Sequence, residues 1–316
     1  MVGITGEVVV GSRGSALALA QTQQVINELL RLGPEITFVL KVIKTRGDRI
    51  RDVALTKMGG KGLFVKELEE ALLAGEIDLA VHSLKDLPTE QPSGLVIGAV
   101  LKREDPRDAL VSRHGLALAQ LPRGARVGTG SLRRGAQLLA YRPDLRIADI
   151  RGNVDTRLRK LGQGQYDAVI LAAAGLIRLG QADRITEYLA PQVLLPAVGQ
   201  GALAVEVREA DARIQGMLAA IDHASTRAAV TAERAFLRRL EGGCRVPIAA
   251  YGQVQDRSLL LDGLVASADG HRVIRGQERG PVTAPIQIGE RLAEVLLACG
   301  AEGILQEQRA GARMRG

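Results

Sequence analysis

The chain has 316 residues, of which 46% are hydrophobic and 24% charged, and this composition predicts a globular protein of more than one domain. The formal net charge is +7, and residues 123–160 carry ten basic and three acidic residues, so one short segment accounts for the whole surplus. No apolar run approaches the roughly 20 residues of a membrane-spanning helix, and the N-terminus lacks a basic signal-peptide region. The two cysteines make no disulfide framework and the four histidines are isolated, which predicts a cytoplasmic protein without a metal site.

The first hundred residues predict strands that alternate with helices. Strands are predicted at residues 7–12, 36–43 and 77–82, and the last of them leads into a loop at 83–88. Helices are predicted at 15–31 and around a second apolar face, made by Phe64, Leu68, Ala71 and Leu72, that ends near Gly75. This alternation is typical of an α/β unit with a mostly parallel sheet and helices on both faces.

A second unit of the same kind is predicted after a charged link at residues 102–108. Its strands are predicted at 125–128, 146–150 and 168–171, and its helices at 132–142 and 154–161. The segment 194–198 leads into 203–207, which we expect to return the chain to the first sheet. From about 222 a helix at 226–241, strands around 247–254, 258–266 and 271–277, and a last helix at about 286–298 predict an α+β domain with an antiparallel sheet.

The basic segment follows two of the predicted strands at the points where helices begin. Backbone N–H groups at such turns favour anions, and arginine adds paired donors that match a carboxylate or a phosphate. The residues concerned are Thr129, Ser131, Arg133, Arg134, Arg151, Gly152, Asn153 and Arg157. A solvated basic face is the alternative interpretation, and we favour it less because open α/β sheets bind ligands where strands end.

Nucleic acids and nucleotides are the rival anions for this segment. The chain has no Trp, three Phe and four Tyr, too few aromatic side chains for base stacking. Residues 60–62 lack the Ser/Thr and the spacing of a phosphate-binding loop, and residues 199–204 form only a weak GxGxxA pattern outside a strand–helix setting. We therefore expect a small ligand with several carboxylates, and no nucleic-acid or membrane partner.

Two further places could carry chemistry. Asp86 follows Lys85 at a predicted strand end, where it could form an ordinary surface ion pair, act as a general acid or base, or stabilise a cationic intermediate. Cys244 follows two glycines and precedes Arg245, a setting in which a cation could favour the thiolate and a covalent role. Cys299 lies in an apolar run and is expected to be a packing residue.

Nine motifs, in their order and spacing, resemble the porphobilinogen deaminase (hydroxymethylbilane synthase) family over nearly the full length of the chain. They are GSRGSALALAQ at 11–21, TRGD at 45–48, GGKGLFVKELE at 59–69, DLAVHSLKDLP at 78–88, REDPRDA at 103–109, VGTGSLRR at 127–134, RGNVDTRLRKL at 151–161, LPAVGQGA at 195–202 and LEGGCRVP at 240–247.

The resemblance implies two lobes similar to periplasmic binding proteins, with mixed, mostly parallel sheets, and a third, cofactor-attachment domain. The implied boundaries are 1–101 with 200–219, 105–195, and 222–316. It also implies a monomeric transferase that condenses four porphobilinogen units head-to-tail and then releases hydroxymethylbilane. Cys244 would bear one covalent dipyrromethane through a thioether, and Asp86 would assist ammonia loss and stabilise the cationic azafulvene.

The same resemblance implies roles for other side chains. Those that would hold the cofactor are Ser15, Ser83, Lys85, Thr129, Ser131, Arg133 and Arg134. Those that would bind carboxylates of the substrate and growing chain are Arg13, Arg151, Arg157 and Arg178, with Lys57 and Lys61 in a loop closing over the cleft. Each pyrrole brings two carboxylates, which accounts for the density of arginines.

The chain departs from the family pattern at two positions, and one rival function remains. Gly130 stands where the family usually has a serine, and Ala16 replaces a common proline. Neither departure touches Asp86 or Cys244. The rival is a non-catalytic, two-lobed binder of a small polyanion, which would need no Cys244.

Overall fold

The computed structural model describes residues 6–33, 35–45, 65–240 and 246–313, and within them the chain divides into two compact units. The first unit consists of residues 6–33, 35–45, 65–104 and 201–227. The second consists of residues 105–200, 228–240 and 246–313. The division into three domains with the boundaries given above remains a prediction.

The first unit is built on a mixed sheet. Its strands are β1 (Glu7–Ser12), β2 (Thr37–Val42), β3 (Leu79–Ser83), β4 (Leu95–Val100) and β10 (Leu203–Arg208), and its helices include α1 (Ala16–Leu32), α2 (Lys66–Leu73) and α6 (Ala212–Leu218). The strand order is β2-β1-β3-β10-β4, with β1 parallel to β2 and β3, and β10 antiparallel to both of its neighbours. Four of these five described strands therefore run in one direction, which confirms the mostly parallel sheet and the predicted return of the chain.

Local sequence explains how the first strand and helix of this unit form. Val8 and Val10 of β1 are buried and pack in one core with Val25 and Leu29 of α1. The side chain of Ser15 caps α1 by accepting a hydrogen bond from the backbone N–H of Ala18 at 3.2 Å. The helix thus begins immediately after the carboxyl end of β1, and the residues between them lie at that edge of the sheet.

The second unit repeats this sheet order with different strands. Its strands are β5 (Asp108–Ser112), β6 (Arg126–Gly128), β7 (Arg146–Ala148), β8 (Ala168–Ala172) and β9 (Glu187–Leu189), and its helices include α3 (Leu132–Tyr141), α4 (Val154–Gly162) and α5 (Ala173–Arg178). The order is β7-β6-β8-β5-β9, in which β6 is parallel to β7 and β8, and β5 is antiparallel to β8 and β9. Again one described strand of five, β5, is reversed.

The C-terminal part of the second unit has the predicted antiparallel sheet. Its elements are α7 (Ala224–Arg239), of which residues 224–227 are counted with the first unit, β11 (Ile248–Gln255), β12 (Ser258–Ala266), β13 (Val273–Pro281), α8 (Pro285–Leu296) and α9 (Glu302–Arg313). The strand order is β11-β12-β13. Phe236 of α7 and Leu292 of α8 share its buried core. A Cβ added at Gly289 would lie 2.3 Å from the carbonyl oxygen of Ala232, so the close approach of α8 to α7 requires glycine.

The structure corrects several expectations from the sequence. The charged link predicted at 102–108 ends in a strand, because Asp108 is the first residue of β5. The sequence patterns also missed β4, β9, α6 and α9. Cys299 is exposed, in a short π-helical segment Leu297–Ala301, and is not a packing residue.

Candidate active site

The carboxyl edge of the first sheet holds five of the predicted site residues: Arg13, Ser15, Ser83, Lys85 and Asp86. The Ser83 hydroxyl group hydrogen-bonds the amide group of the Gln21 side chain on α1 (Nε2–Oγ 2.8 Å). A single 3₁₀ turn, Leu84–Asp86, follows β3, and its Leu84 side chain is buried while Asp86 is exposed. The buried leucine anchors the turn, so the next residues of the turn face solvent at a fixed place on this edge.

Asp86 is available for chemistry in this arrangement. Among the described residues, none forms an ion pair or a hydrogen bond with its carboxylate, and it does not pair with the adjacent Lys85. The interpretation of Asp86 as one half of an ordinary surface ion pair is therefore wrong for these two neighbours. Its catalytic role remains a prediction.

The carboxyl edge of the second sheet is formed by the turns that follow β6, β7 and β8. Thr129 extends β6 by donating its backbone N–H to the carbonyl oxygen of Ala148 at 2.9 Å. Ser131 caps α3, and Asn153 caps α4 by accepting from the N–H of Thr156 at 2.9 Å. Two helix N-termini therefore begin side by side at this edge, where their partial positive charge favours an anion.

A buried acid organises the arginines of α3. Asp108 accepts from the Nη1 of Arg133 at 2.7 Å, from the Nε of Arg134 at 2.9 Å and from the Nε2 of Gln200 at 3.0 Å. All three charged side chains are buried, and the Asp108 side chain has no exposed area. Burial acts to raise the pKa of Asp108, but the charges of Arg133 and Arg134 outweigh it and lower the pKa to about 2. The sequence alone did not indicate this pairing with Asp108. The binding of the cofactor by Arg133 and Arg134 remains a prediction.

Arg157 has the opposite environment. No described carboxylate pairs with its half-buried guanidinium, whose Nε donates to the carbonyl oxygen of Gly152 at 2.9 Å. Burial, followed by repulsion from Arg134 and Arg151, lowers the pKa of Arg157 to about 10, while Asp149 acts in the other direction. A half-buried positive charge with positive neighbours is stabilised when an anion binds beside it.

The remaining predicted residues are placed as follows. Arg151 pairs with Asp149, with 2.9 Å between Nε and Oδ2. Arg178 is the last residue of α5, the helix that follows β8. Cys244, Lys57 and Lys61 lie outside the described residues. The second unit thus brings together Thr129, Ser131, Arg133, Arg134, Arg151 and Arg157.

Asp108 is the functional residue that sequence reasoning missed. A signal was present, since this acid opens an apolar segment that reads as a strand, Asp108-Ala109-Leu110-Val111. An acid at a strand end near a cluster of arginines is a candidate counter-ion, but its pairing with Arg133 joins residues 25 positions apart and could not be read from local pattern.

A cavity of about 1080 Å³ in the second unit is lined by none of the predicted site residues. Its charged lining residues pair among themselves, Arg107 with Asp105 at 2.6 Å and Arg275 with Asp262 at 3.5 Å. We therefore do not assign the chemistry to it. Within the described ranges, no helix has the length and apolar character needed to span a bilayer. No group of three or more potential metal-ligating side chains occurs there either.

Comparison with known proteins shows the family to which the chain belongs. Residues 8–216 match the family model of the porphobilinogen deaminase dipyromethane cofactor binding domain, and residues 227–298 match the porphobilinogen deaminase C-terminal domain. The chain is 59% identical over 306 residues to a porphobilinogen deaminase of Desulforudis audaxviator, with coverage of 97% of this chain and 99% of the relative. It is 53% identical over 305 residues to a porphobilinogen deaminase of Desulforamulus reducens, with coverage of 96% and 99%.

Solved structures give a more distant likeness. An extracellular-binding protein of a probable amino-acid ABC transporter from Bacillus subtilis covers 68% of this chain, and 90% of that protein is covered, with 13% identity and a TM-score of 0.40. The periplasmic aliphatic sulphonate binding protein of Escherichia coli covers 74% of this chain, with 70% of that protein covered, 16% identity and a TM-score of 0.37. The strand order of the sheets defines the fold, and the sequence matches show the family. The chain belongs to the porphobilinogen deaminase family.

Proposed function

We propose that this chain deaminates porphobilinogen and condenses four units head-to-tail on a covalent dipyrromethane, releasing hydroxymethylbilane for tetrapyrrole biosynthesis. The observation that carries the proposal is the cationic edge of the second sheet, where Arg157 lacks a described carboxylate partner and lies near Arg134 and Arg151. Every pyrrole of the substrate and of the product carries two carboxylates, so a chain of pyrroles supplies the anions that this edge lacks.

The residues at this edge fit the implied cofactor by their chemistry. A dipyrromethane made from two substrate units has four carboxylates, and the donors gathered here are guanidinium, hydroxyl and helix N-terminal N–H groups. We assign its binding to Ser15, Ser83, Lys85, Thr129, Ser131, Arg133 and Arg134, and its attachment to Cys244. When bound, the dipyrromethane supplies the nucleophilic pyrrole carbon to which the first substrate unit is joined.

Asp86 is proposed to act on the substrate. Loss of ammonia from the aminomethyl group leaves a positively charged methylene pyrrole, and a carboxylate held beside the pyrrole N–H stabilises that charge. Formation of the new C–C bond then releases the proton of the attacked pyrrole carbon, and a carboxylate can accept it. The exposed carboxylate of Asp86 pairs with none of the described residues and lies on an anchored turn, which suits both tasks.

The arginines are proposed to divide the binding of carboxylates. Arg133 and Arg134 share the charge of Asp108, which fixes their guanidinium groups and leaves a net single positive charge for a permanent partner. Arg151 and Arg157 would bind units that arrive and move on, together with Arg13 and Arg178. Lys57 and Lys61 are also proposed to bind carboxylates of the substrate and the growing chain.

We further propose that the protein acts as a cytoplasmic monomer without a nucleic-acid or membrane partner. The cysteine usage supports a reducing compartment, and the scarcity of aromatic side chains argues against base stacking. The presence of Arg133, Arg134, Arg151 and Arg157 after the carboxyl ends of β6 and β7 supports a small polycarboxylate ligand.

The intact mass of the denatured protein tests the proposal. The parent should carry the mass of two deaminated pyrrole units, Cys244→Ala should carry none and be inactive, and the control Cys299→Ala should keep both adduct and turnover because that thiol lies in another segment. An adduct on Cys299, or full activity without Cys244, would overturn the attachment site. A parent chain that binds porphobilinogen but neither carries pyrroles nor releases product would support the non-catalytic binder instead.

A further inference from the structure

The arginines at the carboxyl edge of the second sheet differ in how their charges are compensated. Arg133 and Arg134 are buried against the fully buried Asp108, so solvent cannot reach that carboxylate. Arg157 has no carboxylate partner among the described residues. Arg151 is intermediate, because its partner Asp149 has a side chain that is 56% exposed. Only this last described pair combines an ion-paired arginine of the edge with a carboxylate open to solvent.

The space for the Asp149 carboxylate depends on Gly130. A Cβ added to Gly130 would lie 2.9 Å from Oδ1 of Asp149 and 3.2 Å from the carbonyl oxygen of Ile150, both closer than ordinary van der Waals contact. The turn after β6 and the turn after β7 are therefore complementary at this point. A side chain at position 130 would compete with Asp149 for the same space.

The backbone of the Asp149 turn is held by two hydrogen bonds, whereas its carboxylate is more than half exposed and pairs with Arg151. The hydroxyl of the buried Tyr166 donates to the Asp149 carbonyl oxygen at 2.7 Å, and Nζ of Lys160 donates to the Arg151 carbonyl oxygen at 3.2 Å. With both carbonyl groups fixed, rotation of the Asp149 side chain moves its carboxylate toward or away from Arg151 without moving the turn.

We propose that Asp149 is an internal counter-ion of Arg151 that exchanges with a carboxylate of the bound ligand. In the absence of ligand, Asp149 pairs with Arg151. When a ligand carboxylate arrives, the Asp149 side chain rotates into solvent and the ligand takes its place on the guanidinium. In this scheme Asp149 sets how tightly Arg151 binds a carboxylate, and it touches no reacting atom.

Exchange of this kind suits a ligand that must move. The inference rests on the proposed function, in which successive pyrroles occupy and leave the same arginines. A bare Arg151 beside Arg157 would bind each carboxylate more tightly and release it more slowly, whereas Asp149 can pair again with Arg151 as a carboxylate departs. Asp149 therefore weakens binding and speeds release.

Steady-state kinetics with porphobilinogen test the exchange. Asp149→Asn should lower KM and kcat together by about two- to fivefold, the range expected for removal of a partly exposed ion-pair partner. The matched control is Asp155→Asn, which removes the same charge six positions along the chain, where Asp155 accepts a hydrogen bond from Gln181 at 3.1 Å. Its KM and kcat should stay within twofold of the parent values.

Gly130→Ala is an independent test because it leaves every charge in place. The new methyl group should displace the Asp149 carboxylate, so this variant should show the same direction of change in KM as Asp149→Asn. The double variant should show no further decrease, since both changes remove one interaction.

A binding measurement separates failure of this inference from failure of the proposed function. Calorimetric titration with benzene-1,3,5-tricarboxylate, which cannot be deaminated, should give about two- to fivefold tighter binding to Asp149→Asn than to the parent and to Asp155→Asn. Weaker binding or a raised KM would show that Asp149 positions Arg151 and would overturn the proposal, as would equal affinity for all three proteins. Loss of turnover in the parent would contradict the proposed function alone.

Discussion

The two five-stranded sheets share one spatial order of strand directions, and in each the reversed strand carries a buried acid. The two acids differ in their hydrogen-bond partners. Asp108 on β5 accepts hydrogen bonds from Arg133, Arg134 and Gln200. Glu206 on β10 has His82 as its neighbour, with 3.2 Å between Oε2 and Nε2, yet neither carboxylate oxygen accepts a hydrogen bond from the described residues. One acid is fully satisfied, and the other is not.

The position of each acid along its strand accounts for this difference. Asp108 pairs in register with Ala172, the last residue of β8, and therefore lies at the carboxyl edge where the arginines of α3 begin. Glu206 pairs with Ala80, the second residue of β3, and lies away from that edge. Burial, followed by the charge of Glu206, raises the pKa of the nearby Glu69. The same order of strand directions thus gives an acid paired with two arginines in one sheet and two neighbouring acids, Glu206 and Glu69, in the other.

The largest expected difference between the two acids is in the free energy of unfolding after each is replaced by its amide. Asp108→Asn leaves two buried guanidinium groups without their anion, and we expect the free energy of unfolding to fall by about 3–5 kcal/mol. Glu206→Gln replaces a buried carboxyl group that accepts no hydrogen bond from the described residues, so the change should stay below about 1 kcal/mol in either direction. Urea denaturation of both variants measures these values.

The pH dependence provides the check on Asp108. Its pKa in the folded protein is about 2, below the ordinary value of 3.8, so its contribution to stability is present above the ordinary value and is lost as the pH falls toward 2. The difference between the parent and Asp108→Asn should therefore be constant near neutral pH and shrink between about pH 4 and pH 2. A difference that does not depend on pH in this range would contradict the ionised state of Asp108.

At the carboxyl edge of the first sheet, the exposed acid should matter for turnover and not for folding. Asp86→Asn keeps the shape of the side chain but removes the charge, and kcat should fall by roughly 10²-fold or more while the unfolding free energy stays close to that of the parent. Glu90→Gln, a change at an exposed acid four positions later, is the control and should leave kcat unchanged. Near-parental turnover by a folded, cofactor-loaded Asp86→Asn would refute the role.

The smallest effect is expected at Arg157, which pairs with no described carboxylate. Because the pKa of Arg157 is lowered to about 10, its positive charge destabilises the folded state at neutral pH. Arg157→Gln should therefore raise the free energy of unfolding by about 1 kcal/mol, and it should raise KM for porphobilinogen because a carboxylate donor is lost. Arg159→Gln, an exposed position on the same helix, should change neither quantity. A loss of stability in Arg157→Gln would show that an anion compensates this arginine.

Much of the fold was predictable because the responsible interactions are local. The strand at 7–12 was predicted with the bounds that the structure has, since a short run of valines is a property of adjacent positions. Ser15, Ser131 and Asn153 cap helices whose beginnings the sequence indicated. The short strands β4 and β9 were missed because their burial depends on neighbours far away in the chain.

The sequence by itself determined the family and the placement of candidate residues after strands, since both follow from motifs and from periodicity along the chain. Only the tertiary structure decided which charges compensate one another. Arg133, Arg134 and Arg157 all lie in the first turns of helices that follow strands. The reversed strand β5 brings an acid to the first two, whereas no described carboxylate pairs with the third. A strand that enters from a distant part of the chain carries its charge to a place set by the order of the strands, and no pattern of neighbouring residues records that order.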